Sequence, residues 1–532
     1  MPGKPDTDNV ELIFVNAPTL NDHAEEGDGT PTIRSRLIRQ LLKKKKLNSA
    51  KRLLVDKLVS DEFLNPAVFE TNSSTCEKPS ELVPCGVSSP RTMLSAARSD
   101  PFSPWNFELE SYGNEVLDFC VREFWPTLRT NEYAELCYRR RFHQPSKLLL
   151  YSVLWATAVH LDFNRGVPTE ATESAECQRY YELVLQALQE DLANTTPATV
   201  SDEALIGILY CAVNHKVRVR GARDPSPFTP PRTDIHHLDI FGTTTFHAMH
   251  WNALKELLHG RGGIQTIQMV TLPWLLSMAD LLHAVGSLEK PTYPLLNPIG
   301  KPILYSSPCL AFNIPQAPRH FLRNGGFMQL GLLVPPVHQS IGEVFLGICE
   351  YSQCLDSNPE RKSFDTHELG DCRDIVHHQL MNLPDEHDRI DLIIDPSRGA
   401  SPEGYQLTRS IYLMVRYAVI LYAIHVTFPL PRGLVLRRRL LGELSSYFTL
   451  MGNHFPQGVP LELFFWPAAI AAMAARDEPC RMQFMTIVQT LSREMGVQSW
   501  EEFRVLMQSF AWVDCACDQE GYIVWTKSQH VG

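Results

Sequence analysis

Apolar residues recur at helical spacing through most of the chain beyond Trp105. Residues 148–159 predict a buried helix. Residues 412–424 and 468–475 are almost uninterruptedly apolar, which is typical of helices enclosed on all sides. Alternation of apolar and polar residues, the mark of a strand, is scarce, and no segment repeats at a fixed period. The pattern therefore predicts an all-α fold built as a large multi-helix domain.

One segment of the chain has a more clearly two-sided pattern. Residues 180–192 place Leu183, Leu185, Leu188 and Leu192 among acidic side chains. Such spacing predicts an amphipathic helix that buries these leucines and exposes the acids.

Helix ends are also marked in the sequence. Ser201 is placed to cap the helix that follows it, because a serine hydroxyl can accept a hydrogen bond from a free first-turn amide. Ser499 and Glu502 stand three residues apart, the spacing of a capping box. The glycines within 260–263 predict the end of a helix over 246–258, since glycine tolerates left-handed backbone.

Composition divides the chain into three regions. Residues 1–60 contain an acidic stretch and a basic, partly helical stretch; residues 61–104 are rich in Ser, Pro, Thr and Asn and predict a flexible linker. Residues 105–532 carry the helical pattern. At 532 residues the chain exceeds what one hydrophobic core usually serves, so more than one core is expected.

The net charge of −11 is unevenly distributed. Residues 1–30 have seven acids and one base, and residues 34–57 have ten bases and one acid, which leaves −14 on the rest of the chain. An acidic body repels nucleic acid, so any phosphate contact is predicted in the basic stretch.

The basic stretch is the best candidate for a binding function. Three interpretations stay open: a solvated helix face, a nuclear import signal read by an import receptor, or contact with DNA phosphates. The candidate residues are Arg34, Arg36, Arg39, Lys43, Lys44, Lys45, Lys46, Lys51 and Arg52.

Cysteine and histidine spacing argues against a metal site. The 13 cysteines are scattered, no Cys-x-x-Cys occurs, and Cys515 and Cys517 form the closest pair. A zinc cluster is therefore not predicted, and reduced thiols in an intracellular protein are expected.

His247 and His250 could share one helix face, with His236, His237 and Asp239 nearby in sequence. We favour core or loop histidines there, and no metal or cofactor is predicted.

No motif for catalysis stands out. The chain has neither a phosphate-binding Gly-x-x-x-x-Gly-Lys-Ser/Thr loop nor a Gly-x-Ser-x-Gly elbow, so no catalytic residues and no enzyme activity are predicted. The polar N-terminus argues against a signal peptide. The longest apolar stretches, 417–424 and 463–475, are shorter than the roughly 20 residues that cross a bilayer, so no membrane partner is expected.

Taken together, ordered markers along the chain resemble the fungal-specific transcription factor domain family, in particular members without the N-terminal binuclear zinc cluster. The markers share their order with that family, from the N-terminal segment to the last helix. They are Phe14-Val15-Asn16, Ile33-Arg34-Ser35-Arg36 and the lysine run; Asp100-Pro101-Phe102 and Trp125-Pro126; His250, Leu254, Gly262-Gly263-Ile264, Pro273-Trp274-Leu275, Asp280, Pro291 and Pro294; residues 416–422 before Pro429 and Pro431; and Trp500-Glu501-Glu502, Phe510, Trp512, Asp514, Gly521 and Trp525.

The resemblance implies a nuclear protein with a helical regulatory domain that controls a metabolic or secondary-metabolite gene set. It implies no catalytic residue. It also implies other transcription proteins as partners, and with no zinc cluster any DNA contact falls on the basic segment. The alternative is a nuclear interaction or scaffold protein that does not bind DNA. Nothing in the sequence predicts an oligomeric state.

Overall fold

A computed structural model describes residues 109–128, 145–166, 174–193, 195–214, 224–243, 246–303, 307–311, 326–357, 366–395, 401–452 and 455–529. This part of the chain is 71% helical and contains no strand, which confirms the predicted all-α fold. The basic stretch at 34–57 and the linker predicted at 61–104 lie outside the described residues. Among those residues, no helix combines the length and the apolar character that crossing a bilayer requires.

The α-helices are numbered here in chain order. They are α1 (Ser111–Phe119), α2 (Trp125–Leu128), α3 (Lys147–Arg165), α4 (Ala175–Leu192), α5 (Asp202–Val213), α6 (Leu238–Phe241), α7 (Ala248–Arg261), α8 (Leu272–Ser287), α9 (Pro308–Ala311), α10 (Gln339–Asp356), α11 (Thr366–Asn382), α12 (Pro402–Ala423), α13 (Leu434–Met451), α14 (Glu462–Ala474), α15 (Arg481–Met495), α16 (Trp500–Gln508) and α17 (Asp514–Ser528). A π-helical stretch, Cys120–Phe124, joins α1 to α2, and short 3₁₀ turns include Ile235–His237 and Gly326–Leu332.

The first core is the apolar cluster formed by α1 to α5, α7 and the beginning of α8. Leu150, Val184, Leu205, Leu254 and Leu276 are fully enclosed in it. Its central helices α3 and α5 are buried on nearly all faces, whereas α4 is amphipathic and buries one stripe.

Helix α4 shows how that stripe is chosen. The helix exists as predicted, but its buried residues are Cys177, Tyr180, Val184 and Leu188, whereas Leu185 is exposed. The predicted apolar face was therefore wrong in part. Steps of three, four and four residues keep the buried set on one side of the helix, and Leu185 lies about 100° around the axis from Val184.

The predicted helix ends are confirmed in two places. Ser201 caps α5, with its hydroxyl accepting from the amide of Ala204 at 2.9 Å. Ser499 and Glu502 form the capping box of α16. Helix α7 continues past the predicted residue 258 to Arg261, and Gly262 at φ 108° ends it.

The second core comprises α10 to α17, the end of α8 and Leu238 of α6. At its centre, α14 buries every residue from Leu463 to Ala474, and α12 buries every residue from Ile411 to Ala423. Within these buried parts neither helix has an exposed face, as their nearly uninterrupted apolar sequences predict, whereas residues 402, 403 and 406 at the start of α12 are exposed. The aromatic rings of Phe327, Trp466 and Phe510 pack against each other between them, with centroids 4.9 to 5.8 Å apart.

Helix α8 belongs to both cores. Leu272 and Leu276 in its first half are part of the first core, and Leu281 and Val285 in its second half are part of the second. The described residues all lie within one compact unit, Leu94–Gly532. The two cores are thus joined through a shared helix rather than through an extended connection.

Candidate functional site

None of the nine basic candidates between Arg34 and Arg52 lies in the described residues, so their arrangement stays a prediction. A group of buried polar side chains in the described part lies on α11 and on the turn Ile235–His237 that packs against it. We call it the junction cluster: His236, Asp371, Arg373, Asp374 and His377. All but Asp371 are nearly inaccessible to solvent.

The junction cluster begins at an unusual turn. Two consecutive histidines in Ile235–His237 adopt left-handed backbone, His236 at φ 50° and His237 at φ 52°. Non-glycine residues seldom adopt this conformation, although histidine tolerates it better than most, and such strain is commonly held in place by its surroundings.

The two histidines contact different parts of the fold. His236 hydrogen-bonds Asp374 of α11 through Nδ1 at 2.9 Å, within the second core. His237 instead lies 2.8 Å from the Thr127 hydroxyl of α2 through Nε2, and its ring lies 5.1 Å from that of Phe124 beside the first core. The strained turn therefore connects the two cores through adjacent side chains.

Asp374 is held by a cation on one oxygen and an imidazole on the other. Arg373 donates to Oδ1 from Nε at 2.9 Å and from Nη2 at 2.8 Å, while His236 donates to Oδ2. Burial alone would raise the pKa of this carboxyl, but the Arg373 guanidinium and the His236 hydrogen bond outweigh it and lower the pKa to about 2. Asp374 is accordingly a buried carboxylate at neutral pH.

Arg373 also holds the strained turn. Its Nη1 donates to the carbonyl of Ile235 at 2.9 Å, immediately before His236. Its guanidinium lies 4.8 Å from the centroid of the Phe428 ring, a cation–π arrangement. One arginine therefore contacts the backbone before His236, the carboxylate that His236 binds, and an aromatic ring of the second core.

His377 is satisfied at both ring nitrogens. Its Nδ1 donates to the carbonyl of Arg373 at 2.6 Å, and its Nε2 accepts from the hydroxyl of Thr427 at 2.8 Å. Burial lowers the pKa of His377 to about 4, so this imidazole is neutral at pH 7. His236 differs, because its Nε2 is buried and has no hydrogen-bonding partner among the described residues.

Gly370 allows His236 to lie directly against α11. A Cβ at this position would stand 2.5 Å from Cε1 and 2.7 Å from Nε2 of His236, closer than side chains approach each other. Glycine inside a helix costs stability relative to alanine, and here it gives space for the imidazole.

Three members of the cluster have metal-ligand chemistry. His236, Asp371 and Asp374 each offer one ligand atom, and these atoms lie within 4.8 Å of one another. Sequence analysis missed this group because His236 is more than 130 positions from its carboxylate partners. The available signal was the spacing of His367, Asp371 and Asp374, which repeats at four and three residues along one helix face.

His247 and His250, which the sequence places on one helix face, lie at the start of α7 and outside the junction cluster. His247 caps α7, with Nδ1 accepting weakly from the amide of His250 at 3.5 Å, and the two rings are 4.5 Å apart. Neither belongs to the three-residue ligand group found among the described residues, and nor does Asp239. The expectation of core or loop histidines without a metal at these positions stays a prediction.

No disulfide joins cysteines in the described part of the chain. Ten are present there, and eight of them are buried, while Cys480 is partly exposed and Cys515 is exposed. Most of these thiols therefore serve as small apolar side chains.

Several of the residues that carry the family resemblance stabilise turns. Asp280 is buried in α8 and accepts from the amides of Thr292 at 2.5 Å and Tyr293 at 2.8 Å. Burial raises the pKa of Asp280 to about 6, although both amide hydrogen bonds oppose the change. Gly262 and Gly263 turn the chain at φ 108° and 98°.

No protein-family model matches this chain, and neither the curated proteins nor the solved structures contain a significant match. Membership of the fungal transcription factor family accordingly stays a prediction from the ordered markers.

Proposed function

We propose that this chain is a fungal transcriptional regulator in which the helical body at 105–532 is the regulatory part. The basic segment would direct nuclear import and supply any contact with DNA phosphates. The ordered markers carry this proposal: they run through the chain in the order of the family. The described ones are structural positions of an all-α body, such as the helix end at Gly262 and the buried α12.

The charge distribution supports a division of labour between body and basic segment. The chain outside residues 1–57 carries −14, and nucleic acid would be repelled by it, whereas a basic protein surface or a transcription partner would not. A body of this kind regulates through protein contacts, and the basic segment at 34–57 with +9 is the part suited to phosphate.

Chromatin occupancy tests the proposal. The full chain is compared with a variant in which the nine candidate Lys and Arg residues are replaced by Gln, and with that variant fused to an unrelated import signal. We expect the unmodified chain at a defined set of promoters and the unfused variant outside the nucleus. If the unmodified chain never occupies promoters, the regulator proposal fails.

The fused variant separates DNA contact from recruitment. If its promoter occupancy is lost although it is nuclear, the basic segment contacts DNA. In that case the affinity of the full chain for duplex DNA falls by roughly 10³–10⁵ between 50 and 200 mM salt, the range for 6–10 phosphate contacts. If occupancy is retained, the body is recruited by other proteins, and the role of an interaction protein without DNA contact is favoured.

A further inference from the structure

The junction cluster contains a combination of groups that hydrogen bonding alone does not explain. His236 is 5% exposed, and one of its two nitrogens has no partner among the described residues. His377, equally buried in the same cluster, has both nitrogens paired. The imidazole that is incompletely satisfied is the one that faces two carboxylates.

We propose that His236, Asp371 and Asp374 form a binding site for a divalent transition-metal ion, with Zn²⁺ as the ion that fits best. The site goes beyond the proposed regulatory function and does not depend on it. It also departs from the prediction of no metal that sequence spacing supported.

The distances suit a shared ion. Nitrogen and oxygen ligands bind Zn²⁺ at about 2.0–2.2 Å, so two ligands of one ion stand roughly 3 to 3.5 Å apart. His236 Nδ1 and Asp374 Oδ2 are already 2.9 Å apart. An ion bound here would displace the proton that His236 Nδ1 now shares with Asp374 Oδ2, since metal binding releases protons from its ligands.

Asp371 is the third ligand and lies on the same face of α11 as Asp374. It precedes Asp374 by three residues on α11, and its ligand oxygen lies within 4.8 Å of the other two ligand atoms. Ion binding would require this oxygen to move closer to the other two ligand atoms through a change of side-chain rotamer. Because Asp371 is only partly buried, it also marks the side from which an ion and a water ligand would enter.

The donor set selects the class of ion. One imidazole and two carboxylates match Zn²⁺ or Mn²⁺, whereas Ca²⁺ and Mg²⁺ prefer oxygen ligands alone and Cu⁺ prefers sulfur. Since zinc binds more tightly than manganese at equivalent sites, Zn²⁺ is the expected occupant.

The positive charge of Arg373 repels a bound cation, but Arg373 occupies only one oxygen of Asp374. Its guanidinium binds Oδ1 of Asp374, so Oδ2 stays on the side of His236. Asp371 and Asp374 offer the anionic oxygen ligands that hold a divalent ion in a site from which water is largely excluded.

Binding would also stabilise the contact between the turn and the helix. His236 comes from Ile235–His237 and both carboxylates come from α11, so an ion shared by them resists their separation. A ligand at 100 times its dissociation constant adds about 2.7 kcal/mol to stability. Zinc is therefore expected to raise the unfolding midpoint of the whole chain.

The test uses the full chain after removal of metal with a chelator. Zinc content per chain is measured after desalting, and the thermal midpoint is measured with and without Zn²⁺. The variants are His236→Asn, which tolerates left-handed backbone and can still donate to Asp374, and Asp371→Asn, which lies at the partly exposed edge. His338→Asn is the matched control, because His338 pairs with Asp395 at the surface and belongs to no three-residue ligand group in the described chain.

We expect one zinc equivalent fewer per chain in His236→Asn, at least tenfold weaker zinc binding in Asp371→Asn, and a zinc-dependent midpoint shift in wild type and His338→Asn only. Cobalt substitution separates the site from the cysteines, since ligation by nitrogen and oxygen gives no thiolate charge-transfer band. Equal zinc content in wild type and both ligand variants would overturn the proposal, as would an equal loss in His338→Asn. Cobalt spectra dominated by thiolate and unchanged in His236→Asn would overturn it as well.

Discussion

The first and second cores differ in the helices that they bury. In the first core, α4 buries four residues at helical spacing and keeps acids on its exposed side. In the second core, α14 is enclosed on all sides, and nearly all of the largest fully buried side chains of the described part belong to this core, with Trp251 of the first core as the exception. The second core is thus the one that encloses more of the large aromatic side chains.

The junction cluster lies where the strained turn meets α11 of the second core. His236 contacts the second core and His237 contacts groups beside the first. The two adjacent side chains therefore attach the turn to both cores. A buried ion pair such as Arg373–Asp374 seldom adds much net stability, but it strongly penalises any arrangement that separates its partners.

The largest expected effect comes from comparing one tryptophan in each core. Trp466→Ala removes a fully buried indole that packs on Phe327 and Phe510 and donates to the carbonyl of Ala511 at 3.1 Å. We expect a loss of about 4–5 kcal/mol in the free energy of unfolding, measured by urea denaturation.

Trp251→Ala should cost about 1 kcal/mol less, because the indole nitrogen of Trp251 has no hydrogen-bonding partner among the described residues. A greater loss for Trp251→Ala than for Trp466→Ala would reverse the ranking of the two cores.

The next effect is the pH dependence that His377 contributes. Its pKa is about 4 in the folded chain against 6.5 in the unfolded one, so between these values the unfolded state binds the extra proton. The contribution is complete above pH 6.5 and is lost as pH falls toward 4. Between pH 7 and 4.5 we expect His377→Gln, which cannot titrate, to lose about 2–3 kcal/mol less stability than wild type. Parallel urea midpoints for the two proteins across this range would contradict the assignment; Arg373 and Asp374 are the nearest charges and stay unchanged in both.

A smaller effect is expected at the contact between the turn and α11. In Gly370→Ala the new methyl group would stand 2.5 Å from His236 Cε1 and 2.9 Å from Ile235 Cγ2, so the turn must move. We expect a net loss of about 1–2 kcal/mol, since better helix propensity offsets part of the overpacking.

Gly442→Ala in α13 is the control, because a Cβ there meets nothing within 4 Å. It should raise stability by up to about 1 kcal/mol. The same sign for both substitutions, measured by thermal unfolding, would mean that His236 does not depend on close approach to α11.

The smallest effect compares helix caps. Ser201→Ala in the first core and Ser499→Ala in the second each remove a hydroxyl that accepts from a first-turn amide. Each substitution is expected to lower the free energy of unfolding by about 1 kcal/mol. The two values should be similar because a cap hydrogen bond is local and does not depend on the core that the helix packs against. A cost in one core more than twice that in the other, measured by urea denaturation, would show that the cap energies depend on the surrounding core.

Much of the fold follows from short-range pattern. The uninterrupted apolar runs predict the enclosed helices α12 and α14, and the capping box at Ser499 predicts where α16 begins. The sequence predicted the buried face of α4 only in part, as the exposed Leu185 shows. The leucines of α4 lie on two overlapping faces, and the helices packed against α4 determine which face is buried.

The all-α class, the helix caps and the separation of a basic segment from an acidic body follow from local sequence, since they depend on residues close together in the chain. Three features emerge only on folding: two cores share α8, adjacent histidines face different elements, and His236 lies close to Asp371 and Asp374. Those features depend on contacts across more than a hundred residues. No local spacing encodes such a contact, because it exists only when separate helices have packed.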